Sequence, residues 1–378
     1  MTRQFTLVSL LLLSLSSAAL AGSACVAFDI SWNLLVFGLG GKDYNAGTKD
    51  SWASGSAKDI TTSGRPPFDG TNTTCYLSQF YNAIYVLNAD SSNPSNIYIY
   101  NAASSSWSTQ TVTTGNFDVS NFVTILDHDT NIFYALSKGE LFSLDMGSLT
   151  SANSSPLSWN DIEAPSFTTT GYNPVMAIAQ NHIHFLDVPG NAAGTANIFV
   201  IHFSYFQPET QSYGSNSFPA SHGQATSFFK DSGVQEEFAF IPDDGSATYV
   251  VSVETNTTQT LAGPSTKDSG ATYFASTDAL VQLTSSGAVS YISYNNASTE
   301  ANTAATWSTI ANLASVAPAT SAASSSATGT GTSSVKGAVA TSTTTSTSTG
   351  SNGAEGTGVA IVSLGLSLVV GSIGLLLL

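Results

Sequence analysis

The chain has 378 residues, a formal net charge of −16 and only nine Lys and Arg residues. Nucleic-acid binding needs clustered cations that displace counterions from phosphates, and the sequence contains no such cluster, so no nucleic-acid partner is expected. Only 9% of the residues are charged, and we therefore expect glycans, more than charged side chains, to keep the protein soluble.

The N-terminal segment predicts export from the cell. Arg3 precedes an apolar block over residues 5–15, and small residues that include Ala21 follow this block. A basic start, a short apolar block and an A-x-A-like cleavage site are typical of a secretory signal peptide. We assign residues 1–21 to this signal, with cleavage after Ala21 or Ala24, and the alternative is a buried helix.

The two cysteines of the chain, Cys25 and Cys75, predict one disulfide bond. An even pair of cysteines in an oxidising compartment normally forms a bond. The bond would close a loop of about fifty residues, which the chain-entropy model values at roughly 4 kcal/mol. Two free thiols are the alternative.

Four Asn-x-Ser/Thr sequons lie beside predicted turns or strand ends. They are Asn72, Asn153, Asn256 and Asn296. Asn93 is not counted, because Pro94 follows it. In an exported chain such sequons predict N-linked glycosylation at surface loops.

The clearest β pattern in the chain comprises four predicted strands, at 75–81, 83–87, 96–100 and 106–112. The second and third strands alternate β-branched and aromatic residues on either side of a turn with Asn93 and Pro94, which is the pattern of a β-hairpin. The fourth strand carries a single large aromatic residue, Trp107. We interpret this stretch as one unit of a repeat.

The same four-strand unit recurs downstream with a period of roughly 50 residues, which is typical of propeller blades. The marker positions are Trp107, Trp159, Tyr213, a position near 260 and Trp307. A less regular unit with Trp52 precedes them. We predict an all-β propeller of about six four-stranded blades over residues 25–314, with the three repeat tryptophans at equivalent positions. A β-sandwich is the structural alternative.

Two segments resemble a kelch repeat. LLVFGLGG at Leu34–Gly41 is similar to the strand and diglycine of that repeat, and IYIYNAASSSW at Ile97–Trp107 is similar to its closing strand, turn and Trp. The diglycine occurs only at Gly40-Gly41. The resemblance implies a divergent kelch-type propeller ectodomain, similar to GPI-anchored fungal-type cell-surface glycoproteins. It implies a fold and no particular activity.

The C-terminal part predicts a stalk and an anchor. Residues 315–357 are almost entirely Ser, Thr, Ala and Gly, a composition that favours a disordered, O-glycosylated stalk. Small residues at Ser351 and Asn352, a short spacer and the apolar tail over 358–378 match a glycolipid (GPI) attachment signal. A single transmembrane helix is the alternative for the tail.

Two groups of residues could bind a metal ion. His182 and His184 point to the same side of a predicted strand, yet no acidic residue follows them at a ligand-like spacing. Residues 127–131 (DHDTN) begin like a calcium loop, but Ile132 occupies the place of the required Gly, which favours a polar hairpin turn. We therefore expect no metal and no cofactor.

Two functions fit these features. The first is a monomeric, non-enzymatic cell-surface glycoprotein whose propeller contacts the cell wall, an extracellular protein or a glycan, on the outer face of the plasma membrane. The alternative is a secreted carbohydrate-active or redox enzyme that uses carboxylates such as Asp127, Asp187 and Glu237 in the central channel. Two convergent carboxylates in the channel would favour the enzyme, and a lining of Ser, Thr and Asn would favour the binding module.

Overall fold

The computed structural model describes residues 23–215 and 217–317, which form an all-β propeller of six four-stranded blades. The predicted fold class is confirmed, and the β-sandwich is excluded. Four of the sequence-based expectations concern residues outside these ranges: the signal peptide 1–21, the stalk beyond Ala317, the anchor site Ser351–Asn352 and the tail 358–378.

The first three blades are antiparallel meanders whose strands follow one another outward from the propeller axis. Blade 1 consists of Cys25–Phe28, Leu34–Leu39, Lys42–Gly47 and Lys58–Asp59. Blade 2 consists of Thr74–Ser78, Ala83–Leu87, Ile97–Asn101 and Ser106–Gln110. Blade 3 consists of Phe122–Asp127, Ile132–Ser137, Glu140–Asp145 and Asn160–Glu163.

The last three blades repeat this order. Blade 4 consists of Val175–Ala179, His182–Leu186, Thr195–Val200 and a fourth strand in two pieces, Tyr205–Phe206 and Gln211–Ser212. Blade 5 consists of Gly223–Ser227, Glu237–Pro242, Ala247–Ser252 and Thr257–Ala262. Blade 6 consists of Thr272–Ala275, Ala279–Leu283, Val289–Ser293 and Ser308–Thr309. Pro208 separates the two pieces in blade 4, because proline has no N–H for the strand ladder.

Short elements occupy the connections between these strands. The helical ones are the 3₁₀ turns Lys49–Ser51, Gln79–Tyr81 and Ile201–Phe203 and the α-helices Thr299–Ala304 and Ala311–Ala314. A parallel bridge between Val112–Thr113 and Leu157–Ser158 joins blades 2 and 3 at their outer edges.

The second strands carry the core of the propeller. Ala83–Leu87 and Ala279–Leu283 are buried at every residue, because each of these strands lies between two neighbouring blades. Burial on both faces explains why they read as continuous apolar runs instead of strict alternations. The fourth strands lie at the outer edges of the blades, and Lys58–Asp59 of blade 1 is exposed there.

Three tryptophans occupy equivalent positions in their blades, as the repeat predicts. Each lies opposite the penultimate residue of the third strand in its blade. Trp107 lies opposite Tyr100. Extending the neighbouring strand pairs by one residue places Trp159 opposite Leu144 and Trp307 opposite Ile292. All three indoles are buried. The recurring tryptophan therefore marks the place where the outer strand packs onto each blade.

The ring closes by packing of blade 1 on blade 6. The rings of Phe28 and Phe274, from the two first strands, lie 6.1 Å apart. Beyond the last strand, the side-chain amide of Asn312 donates hydrogen bonds to the carbonyl oxygens of Ala46 (2.8 Å) and Ser51 (3.2 Å) of blade 1. The segment after blade 6 thus fastens the two ends of the ring, since neither end blade borrows a strand from the other.

The predicted disulfide between Cys25 and Cys75 is present, with a Cα–Cα distance of 5.8 Å. It joins the first strand of blade 1 to the first strand of blade 2, which are neighbours around the axis. Both cysteines are buried. The bond therefore fixes the innermost strands at the start of the ring.

Candidate functional site

The first strands of all six blades surround a central cavity of about 660 Å³. This volume lies in the range of known small-molecule sites, ~300–1,000 Å³. One lining residue from each blade illustrates the arrangement: Val26, Tyr76, Val123, Met176, Thr226 and Tyr273. We call this cavity the funnel.

The funnel opens at the end of the propeller where each first strand begins. Its rim is formed by residues that directly precede those strands: Asn72, Ser120, Pro174, His222 and Gly270. We call this end the mouth. Residues on five separate connections therefore frame the entrance to the funnel.

The opposite end is closed by one connection, residues 228–236 between the first and second strands of blade 5, which we call the floor loop. Polar groups of the floor loop contact all five other blades: Asp231 Oδ1 with Trp32 Nε1 (3.2 Å), Lys230 O with Gln79 Nε2 (2.7 Å), Gly233 O with His128 Nε2 (3.3 Å), Gln235 O with Gln180 N (2.7 Å) and Phe229 N with Ser276 O (3.2 Å). A single loop can reach every blade only by crossing the axis. The funnel is therefore blind.

Aromatic packing holds the floor loop in place. The ring of Phe229 stacks on Phe274 of blade 6, with centroids 5.9 Å apart. It also contacts Trp32 of blade 1 at 5.8 Å and His128 of blade 3 at 6.0 Å. Phe229 itself contributes to the lining of the funnel, so its ring forms part of the floor.

The lining of the funnel is mainly uncharged. Tyr76 donates a hydrogen bond from its hydroxyl to the carbonyl oxygen of Thr124 (3.0 Å), and the Tyr273 hydroxyl accepts one from Gln282 (3.1 Å). Burial raises the pKa of both phenols to about 12, so both stay neutral. Hydroxyl and amide side chains, Thr226 and Gln224 among them, complete this surface.

Three acidic or histidine residues lie among the lining residues, Asp69, Asp90 and His222, and all three are at the mouth. Each already has a polar partner: Asp69 Oδ1 accepts from Ser91 N (2.8 Å), Asp90 Oδ2 accepts from the Tyr98 hydroxyl (2.7 Å), and His222 Nδ1 lies 2.7 Å from Asp243 Oδ2. These groups therefore build the rim, and the interior below them presents neutral groups to a ligand.

The carboxylates proposed for an enzyme do not meet in the funnel, and none of the three lines it. Asp127 ends the first strand of blade 3 at the floor end, and Asp187 follows the second strand of blade 4 at the mouth end. Glu237 accepts a hydrogen bond from the Tyr294 hydroxyl (2.7 Å). The enzyme hypothesis loses the residues on which it rested.

The two histidines of blade 4 do not form a metal site. His184 is buried, and its ring nitrogens lie near the Tyr213 hydroxyl (2.7 Å) and the Ala179 carbonyl oxygen (3.4 Å). Burial lowers the pKa of His184 to about 3, so this ring is a neutral core group. Within the described ranges, no group of three or more His, Cys, Asp or Glu residues could hold a metal ion.

The stretch 127–131 forms the polar hairpin turn that its sequence favoured. The Thr130 hydroxyl donates to Asp127 Oδ2 (2.6 Å), and the Asn131 side-chain amide donates to the Tyr85 hydroxyl (2.8 Å). Asn131 has a positive φ of 58°, a conformation that Asn adopts more readily than most residues. The polar side chains of this turn therefore form hydrogen bonds within the propeller.

All four sequon asparagines are exposed. Asn72 lies at the mouth of the funnel. Asn153, Asn256 and Asn296 lie in the connections between the third and fourth strands of blades 3, 5 and 6, and none of them lines the funnel. Their exposure is compatible with the predicted glycosylation, which stays a prediction.

The sequence did not predict the floor loop or the contacts at the rim of the funnel. One signal was present, because residues 228–236 form a much longer connection than Gln180–Asn181, the corresponding connection of blade 4. No local pattern in this segment shows that it crosses the axis.

In the part of the chain that the structure describes, no helix is long and apolar enough to cross a membrane.

Comparison with known proteins identifies no family. No family model matches the chain, and no curated protein matches it. Among solved structures, a chain in a crystal structure of a nidogen/laminin complex is similar at 9% identity and a TM-score of 0.40, over 63% of this chain and 79% of that chain. A similarity of this strength says nothing about function, which must be inferred from the site itself.

Proposed function

We propose that the propeller is a binding module that accepts a neutral, hydroxyl-rich ligand, a glycan, in the funnel. The observation that carries this proposal is the blind funnel with an uncharged interior between six blades. Ligand sites are typically concave and largely apolar, with a few polar groups that fix the orientation of the ligand. This geometry supports recognition without a chemical step.

The lining fits a sugar better than a charged ligand. Tyr76, Phe122 and Tyr273 supply aromatic rings for the apolar faces of a sugar, and Thr226 and Gln224 supply hydroxyl and amide groups for its hydroxyls. The chain carries a net charge of −16, which disfavours sulfated or phosphorylated ligands. A neutral oligosaccharide satisfies both conditions.

Binding to an array of neutral oligosaccharides tests this proposal through a substitution that fills the funnel. Val123 is a half-buried lining residue, and Val123→Trp places a large ring in the space that the ligand needs. We expect this variant to bind at least about tenfold more weakly than the wild type, which corresponds to ~1.4 kcal/mol. The assay uses the purified ectodomain, and circular dichroism checks that it is folded.

Ser106→Trp is the matched control, because Ser106 is exposed on the fourth strand of blade 2, away from the funnel. The substitution adds the same ring at the outer edge of blade 2. The affinity of this variant for the oligosaccharide should equal that of the wild type. Equal binding by Val123→Trp and the wild type would place the ligand elsewhere and would overturn the proposal.

The cellular setting is a further part of the proposal. We place the module, as a monomer, on the outer face of the plasma membrane or the cell wall, held by a stalk over residues 315–357 and a glycolipid attached near Ser351 or Asn352. The buried Cys25–Cys75 disulfide supports export, because such bonds persist in oxidising compartments. The segments resembling a kelch repeat form parts of blades 1 and 2 and support a kelch-type classification.

Treating intact cells with a phosphatidylinositol-specific phospholipase tests the anchor. We expect release of the ectodomain into the medium, because the lipid would be the only link to the membrane. Mock-treated cells are the control. Retention of a chain that still contains Leu378, detected by mass spectrometry, would show a transmembrane tail instead.

A further inference from the structure

We infer that an N-linked glycan on Asn72 stands at the mouth of the funnel and limits the size of what can enter. The inference rests on the proposed function only in taking the funnel as the binding site. Asn72 is exposed and belongs to the rim. Its sequon is completed by Thr74, the first residue of the first strand of blade 2.

The attachment point is held rigidly. Thr73, the neighbour of Asn72, is buried, and its hydroxyl donates a hydrogen bond to the carbonyl oxygen of Asn88 (3.0 Å). Gly70 packs so closely on the same segment that a Cβ atom there would lie 1.9 Å from the Asn88 carbonyl oxygen. Cys75 is tied to the first strand of blade 1. The base of the glycan therefore keeps its place beside the opening.

The consequence is steric. An N-linked glycan is bulky and hydrated, and at Asn72 it starts within the rim of the opening. Small molecules and the ends of unbranched oligosaccharides would pass beside it. Branched glycans and folded protein surfaces would be kept out of the funnel.

The other sequons provide internal controls. Asn153, Asn256 and Asn296 lie in connections between third and fourth strands, and none of these asparagines lines the funnel. Glycans there share the chemistry of a glycan at Asn72 and differ in position. Removing them should leave access to the funnel unchanged.

A thiol reporter inside the funnel measures access without any ligand. The chain has two cysteines, and both are in the disulfide, so Val123→Cys introduces a single free thiol into the lining. The reporter is compared in two glycosylated backgrounds, Asn72→Gln and the triple substitution Asn153→Gln, Asn256→Gln and Asn296→Gln. Each protein reacts with a small maleimide and with a maleimide on a polyethylene glycol chain, and the two rates are measured.

We expect the large reagent to react about tenfold more slowly when only the Asn72 glycan is present than in the Asn72→Gln background, because a bulky surface glycan excludes it. The small reagent should react equally fast in both. Enzymatic removal of glycans from the folded triple variant should restore the fast rate, which separates the glycan from any effect of Asn72→Gln on folding.

Equal rates of the large reagent in both backgrounds would overturn the inference, and so would a mass spectrum that shows Asn72 unmodified. The rates report access and not affinity. If no glycan binds on the array but the rates differ as expected, the proposed function fails and the inference stands.

Discussion

Replacing Asp43 with Ala is expected to destabilise the propeller by about 3 kcal/mol, because it removes a fully buried carboxylate and leaves the guanidinium of Arg65, whose side chain is only 18% exposed, without its partner. Asp43 is fully buried and accepts hydrogen bonds from Arg65 Nε (2.9 Å) and Nη2 (2.8 Å). The same carboxylate accepts the backbone N–H of Gly38 (2.9 Å). Arg65 also donates to the Gly41 carbonyl oxygen and lies over the ring of Phe68, so it cannot turn out to solvent without losing these contacts.

Denaturant unfolding of the purified propeller domain measures this effect. Asp59→Ala is the matched control, since Asp59 forms an ion pair with Lys42 at the exposed edge of the same blade. Exposed pairs contribute little to stability, so this variant should unfold close to the wild type. If Asp43→Ala unfolds at the same denaturant concentration as Asp59→Ala, the buried pair does not hold blade 1 together.

Removing the disulfide is expected to cost about 4 kcal/mol in the double variant Cys25→Ala, Cys75→Ala, according to the chain-entropy model for a loop of this length. The bond spans 50 residues in sequence and joins the first strands of two blades. Without it, the unfolded chain gains freedom and the innermost strands of blades 1 and 2 lose their covalent link.

Thermal and denaturant unfolding of the double variant would show the loss as a lower midpoint. The wild type treated with a reductant under native conditions serves as a second measure of the same bond. An unchanged midpoint in the double variant would contradict this expectation and would mean that packing alone holds the innermost strands of blades 1 and 2 together.

The repeat could be found from the sequence because each blade has to bury its second strand in the same way. A second strand between two neighbouring blades must be apolar on both faces, as in Ala83–Leu87, and this recurs at a regular spacing. The repeat tryptophans follow the same logic, since Trp107 and Trp307 fill equivalent positions over the third strand. These patterns are local in the sequence, and they can therefore be recognised without knowledge of the structure.

The site could not be found in this way, because it depends on contacts between distant parts of the chain. The floor loop is fixed by Trp32 and Gln180, far from it in sequence. Asp127 and Glu237 were chosen as enzyme candidates by residue type, and the fold uses both in hydrogen bonds to neighbouring side chains. Residue type alone gave no information about where a side chain would lie relative to the axis.

A crystal structure of the propeller domain with the tightest-binding oligosaccharide from the array tests the central claim most directly. The proposal predicts a sugar ring inside the funnel, against Tyr76 or Tyr273 and above the floor loop at Phe229. Electron density for the sugar at the outer rim of the blades or on the floor end, with the funnel filled by water, would contradict it.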